Sequence, residues 1–172
     1  MNFIKFLIFF GLQIQVFATQ CIVPGILLET IKITENETLY PFYIRTNDNE
    51  KLNKFNEIIK YFNHKKTEDT MVVDCINSDN CTKLATALIK ENITNLDLGL
   101  FQINYKSFKY QIHSYFDEEL ANFTACKVIE EKIRITKNWS WETLATYHSL
   151  TPKLNKIYKE KLIKNYIKLL NK

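Results

Sequence analysis

Asn95-Leu96-Asp97-Leu98-Gly99-Leu100-Phe101-Gln102-Ile103-Asn104 is the stretch that says most about how this chain folds. Gly99 is a single glycine among large apolar residues, which indicates a backbone that must approach another part of the molecule closely. Gln102 and Asn104 follow it with amide groups that can donate to and accept from sugar hydroxyls or N-acetyl groups. An ordinary buried turn with capping amides is the alternative interpretation.

A second feature lies upstream, in a helix that is expected to open at Pro24 and to end near Asn36. Leu27, Ile31 and Glu35 have helical i, i+4, i+8 spacing, so they fall within about 80° of one another. The apolar stripe therefore ends in a carboxyl group. A carboxyl group partly removed from water favours its neutral form, which can protonate a glycosidic oxygen.

Two other glutamates lie close to Glu35 in the sequence. Glu29 falls about 200° from Leu27 on the same helical wheel, which places it on the solvent side. Glu37 lies beyond the predicted helix end and is the second choice for a catalytic acid. For Glu35 itself, the alternative is an ordinary solvated glutamate at a helix end.

Hydrophobic spacing along the rest of the chain predicts a mostly α (α+β) fold in one domain, residues 19–172. The aromatic and β-branched stretch Tyr40 to Thr46 and the short Met71-Val72-Val73 run are expected to form a small β-hairpin. Ser140 is a plausible N-cap for a helix beginning at Trp141. Further helices are expected over about 52–62, 84–89, 122–135, 141–149 and 154–170.

The first residues have the pattern of a secretory signal peptide. Lys5 precedes an apolar stretch from Phe6 to Val16 that is short for a membrane span, and Val16-Phe17-Ala18 places tolerated residues before a cleavage point. We therefore predict a signal peptide over 1–18, export to the periplasm or beyond, and no membrane span after cleavage. An uncleaved membrane anchor is the alternative.

Four cysteines, Cys21, Cys75, Cys81 and Cys126, follow this segment. An even number of cysteines in an exported chain predicts two disulfides, for which three pairings are possible. Cys75 with Cys81 would close a small loop, and Cys21 with Cys126 would then tie the N-terminus to a later helix. Zinc binding is the weaker alternative because the chain has no Cys-x-x-Cys pair, and we expect no metal site.

The net charge of the chain indicates which kinds of molecule it is expected to bind. The net charge is +4 at pH 7, and the isoelectric point is about 8.7. Mild basicity suits an anionic surface or polymer. No block of basic residues stands out, so nucleic acid is not expected to be a partner.

Several segments resemble a known family in order and spacing. Residues 99–104 resemble the Gly-Leu-Met-Gln-Ile-Asn signature of the soluble lytic transglycosylase (SLT-domain, goose-lysozyme-like) family, with Phe101 in place of Met. Residues 27–36 resemble the family's helix that ends in its catalytic Glu-Ser pair, and 41–47 resemble the stretch after it. Residues 144–149 resemble the family's Ala-Tyr-Asn/His motif.

The resemblance covers about residues 21 to 166, with departures. Asn36 stands where the family usually has Ser, and the interval from Glu35 to Pro41 is one residue longer than is common, which keeps Glu37 as an alternative. The segment between Glu35 and Gly99 is longer than in minimal members. It resembles the subgroup found with conjugation and specialised secretion systems.

The resemblance implies a lysozyme-like helical fold and a lytic transglycosylase activity. This activity cleaves the β-1,4 bond between N-acetylmuramic acid and N-acetylglucosamine in peptidoglycan and leaves a 1,6-anhydro end. Glu35 would perform both proton transfers without a cofactor, and Asp97 is interpreted as structural. The implied substrate-binding residues are Asn36, Gly99, Phe101, Gln102, Asn104 and Tyr147, whereas His148 would be a packing or rim residue.

The implied partners are peptidoglycan glycan strands and the proteins of a secretion or conjugation apparatus, for which the enzyme would open the wall locally. Two other functions remain on the same fold. One is a hydrolytic lysozyme, and the other is a non-catalytic peptidoglycan-binding assembly factor.

Overall fold

Helices dominate the computed structural model, which describes residues 21–36 and 41–171. The expected signal peptide, residues 1–18, and Glu37 lie outside the described residues. The mostly α prediction is confirmed, because the described chain contains the helices α1 (Gly25–Glu35), α2 (Leu52–Ile59), α3 (Ser78–Lys90), α4 (Glu118–Thr136), α5 (Trp141–Ala145) and α6 (Pro152–Leu170).

An antiparallel sheet forms the β part of the fold. Its strands β1 (Tyr43–Thr46), β2 (Val72–Asp74), β3 (Leu96–Leu98) and β4 (Ile103–Asn104) lie in the order β2-β1-β3-β4. The predicted hairpin corresponds to β1 and β2, where Ile44 pairs with Val73. The pairs β1–β3 and β3–β4 extend it, and these last two strands are too short to show a period-two pattern in the sequence.

Side-chain caps fix where three helices begin. Asn77 accepts from the backbone N–H of Asn80, and Asp117 accepts from that of Leu120, both at 2.9 Å. The predicted cap at Ser140 is confirmed, since its hydroxyl accepts from the N–H of Thr143 at 3.1 Å. The helix that follows ends at Ala145, shorter than the predicted 141–149.

The core lies between the sheet and the helices. Ile31 of α1, Ile44 of β1 and Ile129 of α4 are buried in one cluster with residues from the other elements. Helix α6 closes this core over α1, where the Asn165 side chain donates to the Thr34 hydroxyl at 2.9 Å. The C-terminal end of α1, where Glu35 lies, is thereby held against α6.

The glycine predicted to allow a close approach does so. Gly99 has a φ of +68°, and a Cβ built on it would overlap the carbonyl oxygen of Tyr115. The Gly99 N–H donates to the carbonyl of Tyr43 at 3.0 Å, which ties the turn to β1. Both the left-handed conformation and the lack of space exclude a side chain here.

Both disulfides form in the expected pairing. Cys21 bonds to Cys126 of α4, with their Cα atoms 5.9 Å apart, and Cys75 bonds to Cys81 of α3, with their Cα atoms 5.2 Å apart. The first bond attaches the segment before α1 to the core helix α4. Within the described part of the chain, no helix is long and apolar enough to cross a membrane.

We predict that Gly99→Ala destabilises the fold by roughly 3 kcal/mol, because strained backbone and a clash with backbone atoms add together. Urea denaturation measures the loss. Gly25→Ala is the matched control, since a Cβ there meets nothing within 4 Å. The control is expected to change stability by less than about 1 kcal/mol in the favourable direction, and an equal loss in both variants would refute the close approach.

The two disulfides are expected to contribute unequally, because they close loops of 105 and 6 residues. The double variant Cys21→Ala/Cys126→Ala should lose roughly 5 kcal/mol and Cys75→Ala/Cys81→Ala roughly 2 kcal/mol, on the chain-entropy relation. Thermal and urea unfolding of both variants would measure this. A larger loss from the small loop would contradict it.

Candidate active site

A groove of about 1070 Å³ runs over the sheet, between the end of α1 and the α5–α6 region. This volume is at the upper end of the range for ligand sites. The residues that line it come from distant parts of the chain, and they include Glu35, Tyr43, Asp97, Gln102, Asn104, Tyr147, His148 and Tyr158.

Glu35 is the last residue of α1, and its side chain is only 11% exposed. Its Oε1 atom is buried and makes no hydrogen bond with the described residues. The helical wheel placed this residue correctly, since Ile31 is buried one turn earlier. Glu29, on the predicted solvent side, is 42% exposed and pairs with Lys32.

His148 is the nearest cationic group to this carboxyl. Its Nδ1 atom lies 3.6 Å from Oε1 of Glu35, an ion-pair distance, and its ring stacks on Tyr158 with centroids 4.7 Å apart. The Glu35 carboxylate, as acceptor and as negative charge, raises the pKa of His148 above its ordinary value, and partial burial opposes this. The two side chains are therefore placed to form an ion pair when His148 is protonated.

Three tyrosines surround Glu35. Burial, and then the negative charge of Glu35, raise the pKa of Tyr43, Tyr147 and Tyr158. All three hydroxyls consequently stay protonated at neutral pH and can donate hydrogen bonds. Tyr147 donates to the carbonyl of Phe101 at 2.8 Å, Tyr43 donates to the Glu35 carbonyl at 3.4 Å, and the buried Tyr158 hydroxyl has no partner in the described chain.

Asp97 is a second carboxyl group in the same groove. The amides of Asn47 and Asn104 donate to its two oxygens at 2.6 and 2.8 Å. Desolvation raises the pKa of Asp97, these two amides lower it, and the charge of Glu35 raises it further. Arg45 stands opposite Asp97 in the β1–β3 register.

Gln102 holds the turn after Gly99. Its backbone has a φ of +47°, and its Nε2 donates to the Gly99 carbonyl at 2.6 Å. The other end of the amide, Oε1, is buried and has no partner among the residues that the structure describes. Gln102 therefore combines a position in the groove lining with a buried acceptor that makes no hydrogen bond to the described residues.

The predicted site residues divide into two groups. Glu35, Gln102, Asn104 and Tyr147 line the groove, whereas Asn36, Gly99 and Phe101 do not. The Phe101 side chain packs in the core, so only its carbonyl supports the site, through Tyr147. Asn36 is buried behind the groove, and Gly99 acts through its backbone.

Asn104 lines the groove without a free amide atom. Its Nδ2 donates to Asn95 at 2.9 Å and to Asp97 at 2.8 Å, and its Oδ1 accepts from the N–H and hydroxyl of Ser107. In this structure its amide orders Asp97 and the loop after β4, and direct binding of sugar by Asn104 stays a prediction.

Sequence reasoning missed two contributions. The sequence gives no signal for Tyr158, because a buried tyrosine on α6 looks like any core aromatic residue. The sequence predicts that His148 is a packing or rim residue. Its stacking on Tyr158 fits that prediction, and the structure adds its position 3.6 Å from Glu35. The only local signal for the position of His148 is that it is a titratable residue directly after Tyr147.

An apolar strip borders the groove on the α6 side. Leu150, Leu154 and Ile157 line it and are 75%, 47% and 47% exposed. Exposed apolar side chains that border a polar groove are typical of binding surfaces.

Comparisons with known proteins give no assignment: no family model, no curated protein and no solved structure matches this chain.

The Glu35–His148 pair predicts a pH-dependent signal. Because the folded-state pKa of His148 is raised, the pair stabilises the fold fully below the ordinary value of about 6.5 and loses this as the pH rises through the raised value. Glu35→Gln should move the NMR titration of His148 back towards the ordinary value. Glu29→Gln is the control that should leave it unchanged, and a His148 pKa insensitive to Glu35→Gln would overturn the pairing.

Proposed function

We propose that this protein is a peptidoglycan lytic transglycosylase and that Glu35 is its catalytic acid and base. One observation carries the proposal: a nearly buried carboxyl group, with one oxygen that makes no hydrogen bond to the described residues, lies in a large groove lined by amides and phenols. A carboxyl group in such a setting suits proton transfer to and from a bound sugar. The sequence resemblance supplies the substrate.

The proposed reaction has two proton transfers at one carboxyl group. Protonated Glu35 donates to the glycosidic oxygen as the bond from the muramoyl anomeric carbon breaks, and N-acetylglucosamine leaves with a free 4-hydroxyl. The Glu35 carboxylate then takes the proton of the muramoyl 6-hydroxyl as that oxygen bonds to the anomeric carbon. The product is a 1,6-anhydro end, and Glu35 is again protonated.

The surroundings of Glu35 fit this reaction. Oε1 of Gln102 can accept from the N–H of an acetamido group, and the Tyr158 hydroxyl can donate to a sugar oxygen or to Glu35. His148, when it is protonated, can form an ion pair with Glu35 while Glu35 is a carboxylate. The apolar strip at Leu150 and Leu154 suits the apolar faces of sugars and acetyl methyl groups.

A hydrolytic lysozyme is the second candidate, favoured by Asp97. Glycosidases that add water use two carboxyl groups. Asp97 lies in the same groove, and the negative charge of Glu35 raises the pKa of Asp97. We rank it second because both oxygens of Asp97 already accept hydrogen bonds from Asn47 and Asn104. A non-catalytic wall-binding factor is third, supported by the departures at Asn36 and Pro41.

The setting of the activity is also part of the proposal. Two disulfides fit an exported protein, and the resemblance to the conjugation-associated subgroup supports local opening of the wall for a secretion or conjugation apparatus.

Digestion of purified sacculi, with mass spectrometry of the products, tests the proposal. The wild-type protein should release anhydro-muropeptides, and Glu35→Gln should reduce the rate by roughly 100- to 10,000-fold, because the amide cannot transfer the proton. Glu29→Gln is the matched control on the same helix and should retain the wild-type rate. Glu37→Gln tests the second-choice glutamate.

Each other outcome identifies an alternative. Products with reducing ends would indicate a lysozyme. Loss of activity in Glu37→Gln, with activity kept in Glu35→Gln, would assign the catalytic role to Glu37. Binding of sacculi by wild type without any product would leave the non-catalytic function.

A further inference from the structure

The groove carries ammonium groups that the cleavage of a neutral sugar chain does not explain. Lys106, in the loop after β4, and Lys132 of α4 both line the groove, and the Lys132 ammonium lies over the ring of Phe108, two residues after Lys106. Within residues 21–36 and 41–171, neither has a carboxylate within 4.0 Å, whereas the Arg45 guanidinium lies 3.3 Å from Asp69. Both lysines are therefore available to an anion from outside the protein.

Lys132 is held towards the groove by packing. Val128, one helical turn earlier on α4, lines the same wall. The Lys132 ammonium lies 5.2 Å from the centroid of the Phe108 ring, a cation–π distance. This contact places the ammonium at the groove wall before any ligand binds.

The loop that carries Lys106 and Phe108 is itself fixed. Its first residue, Asn104, accepts from Ser107 through its side chain and from the Phe108 N–H through its carbonyl at 2.9 Å. The Tyr115 hydroxyl donates to the Phe108 carbonyl. Lys106 therefore lies in a loop that hydrogen bonds hold in place.

The charged side chains that line the groove give it a net positive charge. They are two carboxyl groups, one of which is the proposed acid, and four basic side chains, Arg45, Lys106, Lys132 and Lys161. An excess of one sign of charge in a groove raises the local concentration of ligands of the opposite sign. The glycan chain of peptidoglycan supplies no such charge, but the peptide stems on its muramoyl residues end in free carboxylates.

We propose that Lys106 and Lys132 form a subsite for the carboxylates of a peptide stem, so that the protein prefers stem-bearing glycan over bare glycan. This inference rests on the proposed function for the identity of the polymer. The two ammonium groups contact the stem while the sugar ring lies at Glu35.

Three matched substrates separate charge from size. The first is soluble glycan strands with intact stems, freed of phosphate polymers. The second is the same strands with stem carboxylates amidated. The third has the stems removed by an amidase and the lactyl carboxylates that this hydrolysis exposes amidated in turn. Lys106→Gln/Lys132→Gln is compared with Lys164→Gln/Lys168→Gln, a double change of equal charge on α6 at residues outside the groove lining.

The Lys106→Gln/Lys132→Gln variant should have a KM roughly tenfold higher on stem-bearing strands, with kcat unchanged, as expected for two partly exposed charge pairs. On amidated or stripped strands it should match wild type, and the α6 control should match wild type throughout. Raised salt should weaken the wild-type preference. Equal effects on all three substrates, or no effect on any, would overturn the subsite.

Binding to Glu35→Gln protein separates this inference from the proposed activity. If wild type releases no anhydro products but Glu35→Gln protein binds stem-bearing strands through the two lysines, the activity fails and the subsite stands. If anhydro products form while binding is indifferent to stem carboxylates, the subsite fails and the activity stands.

Discussion

The carbonyl oxygen of Tyr115 occupies the space that a side chain at residue 99 would need, and the site depends on this backbone contact. Backbone atoms cannot move aside as a flexible side chain can, so the β3–β4 turn has one position relative to the segment before α4. That position sends Phe101 into the core and leaves Gln102 at the groove. It also sets β4 beside β3, where Asn104 reaches Asp97.

Hydrogen bonds between elements distant in the sequence hold the groove around this turn in place. The Tyr147 hydroxyl reaches the Phe101 carbonyl, which joins the α5–α6 connection to the turn. Asn165 and Thr34 join α6 to α1 just before Glu35. Proton transfer needs its groups held in place before the substrate arrives. These two hydrogen bonds hold the elements on either side of Glu35 in place.

Three buried polar atoms in the groove lower the stability of the folded protein. Glu35 Oε1, Gln102 Oε1 and Tyr158 Oη lack hydrogen-bond partners in the described part of the molecule, and all three residues line the groove. An unsatisfied buried polar group costs about 1–3 kcal/mol. Their concentration in one groove is what a site for a polar ligand requires, because a bound sugar can supply the missing partners.

The sequence by itself determined the local features: the helix ending in Glu35, the Ser140 cap, the need for glycine at position 99, and the cysteine partners as one of three pairings. Each follows from periodicity, backbone conformation or composition over a few residues. Only the tertiary structure decided that His148 and Tyr158 lie beside Glu35. It also decided that the Asn104 amide donates to Asp97 and that the Phe101 side chain is buried in the core. Contacts such as Thr34 with Asn165, 131 residues apart, leave no periodic trace in a sequence, because they depend on how whole elements pack.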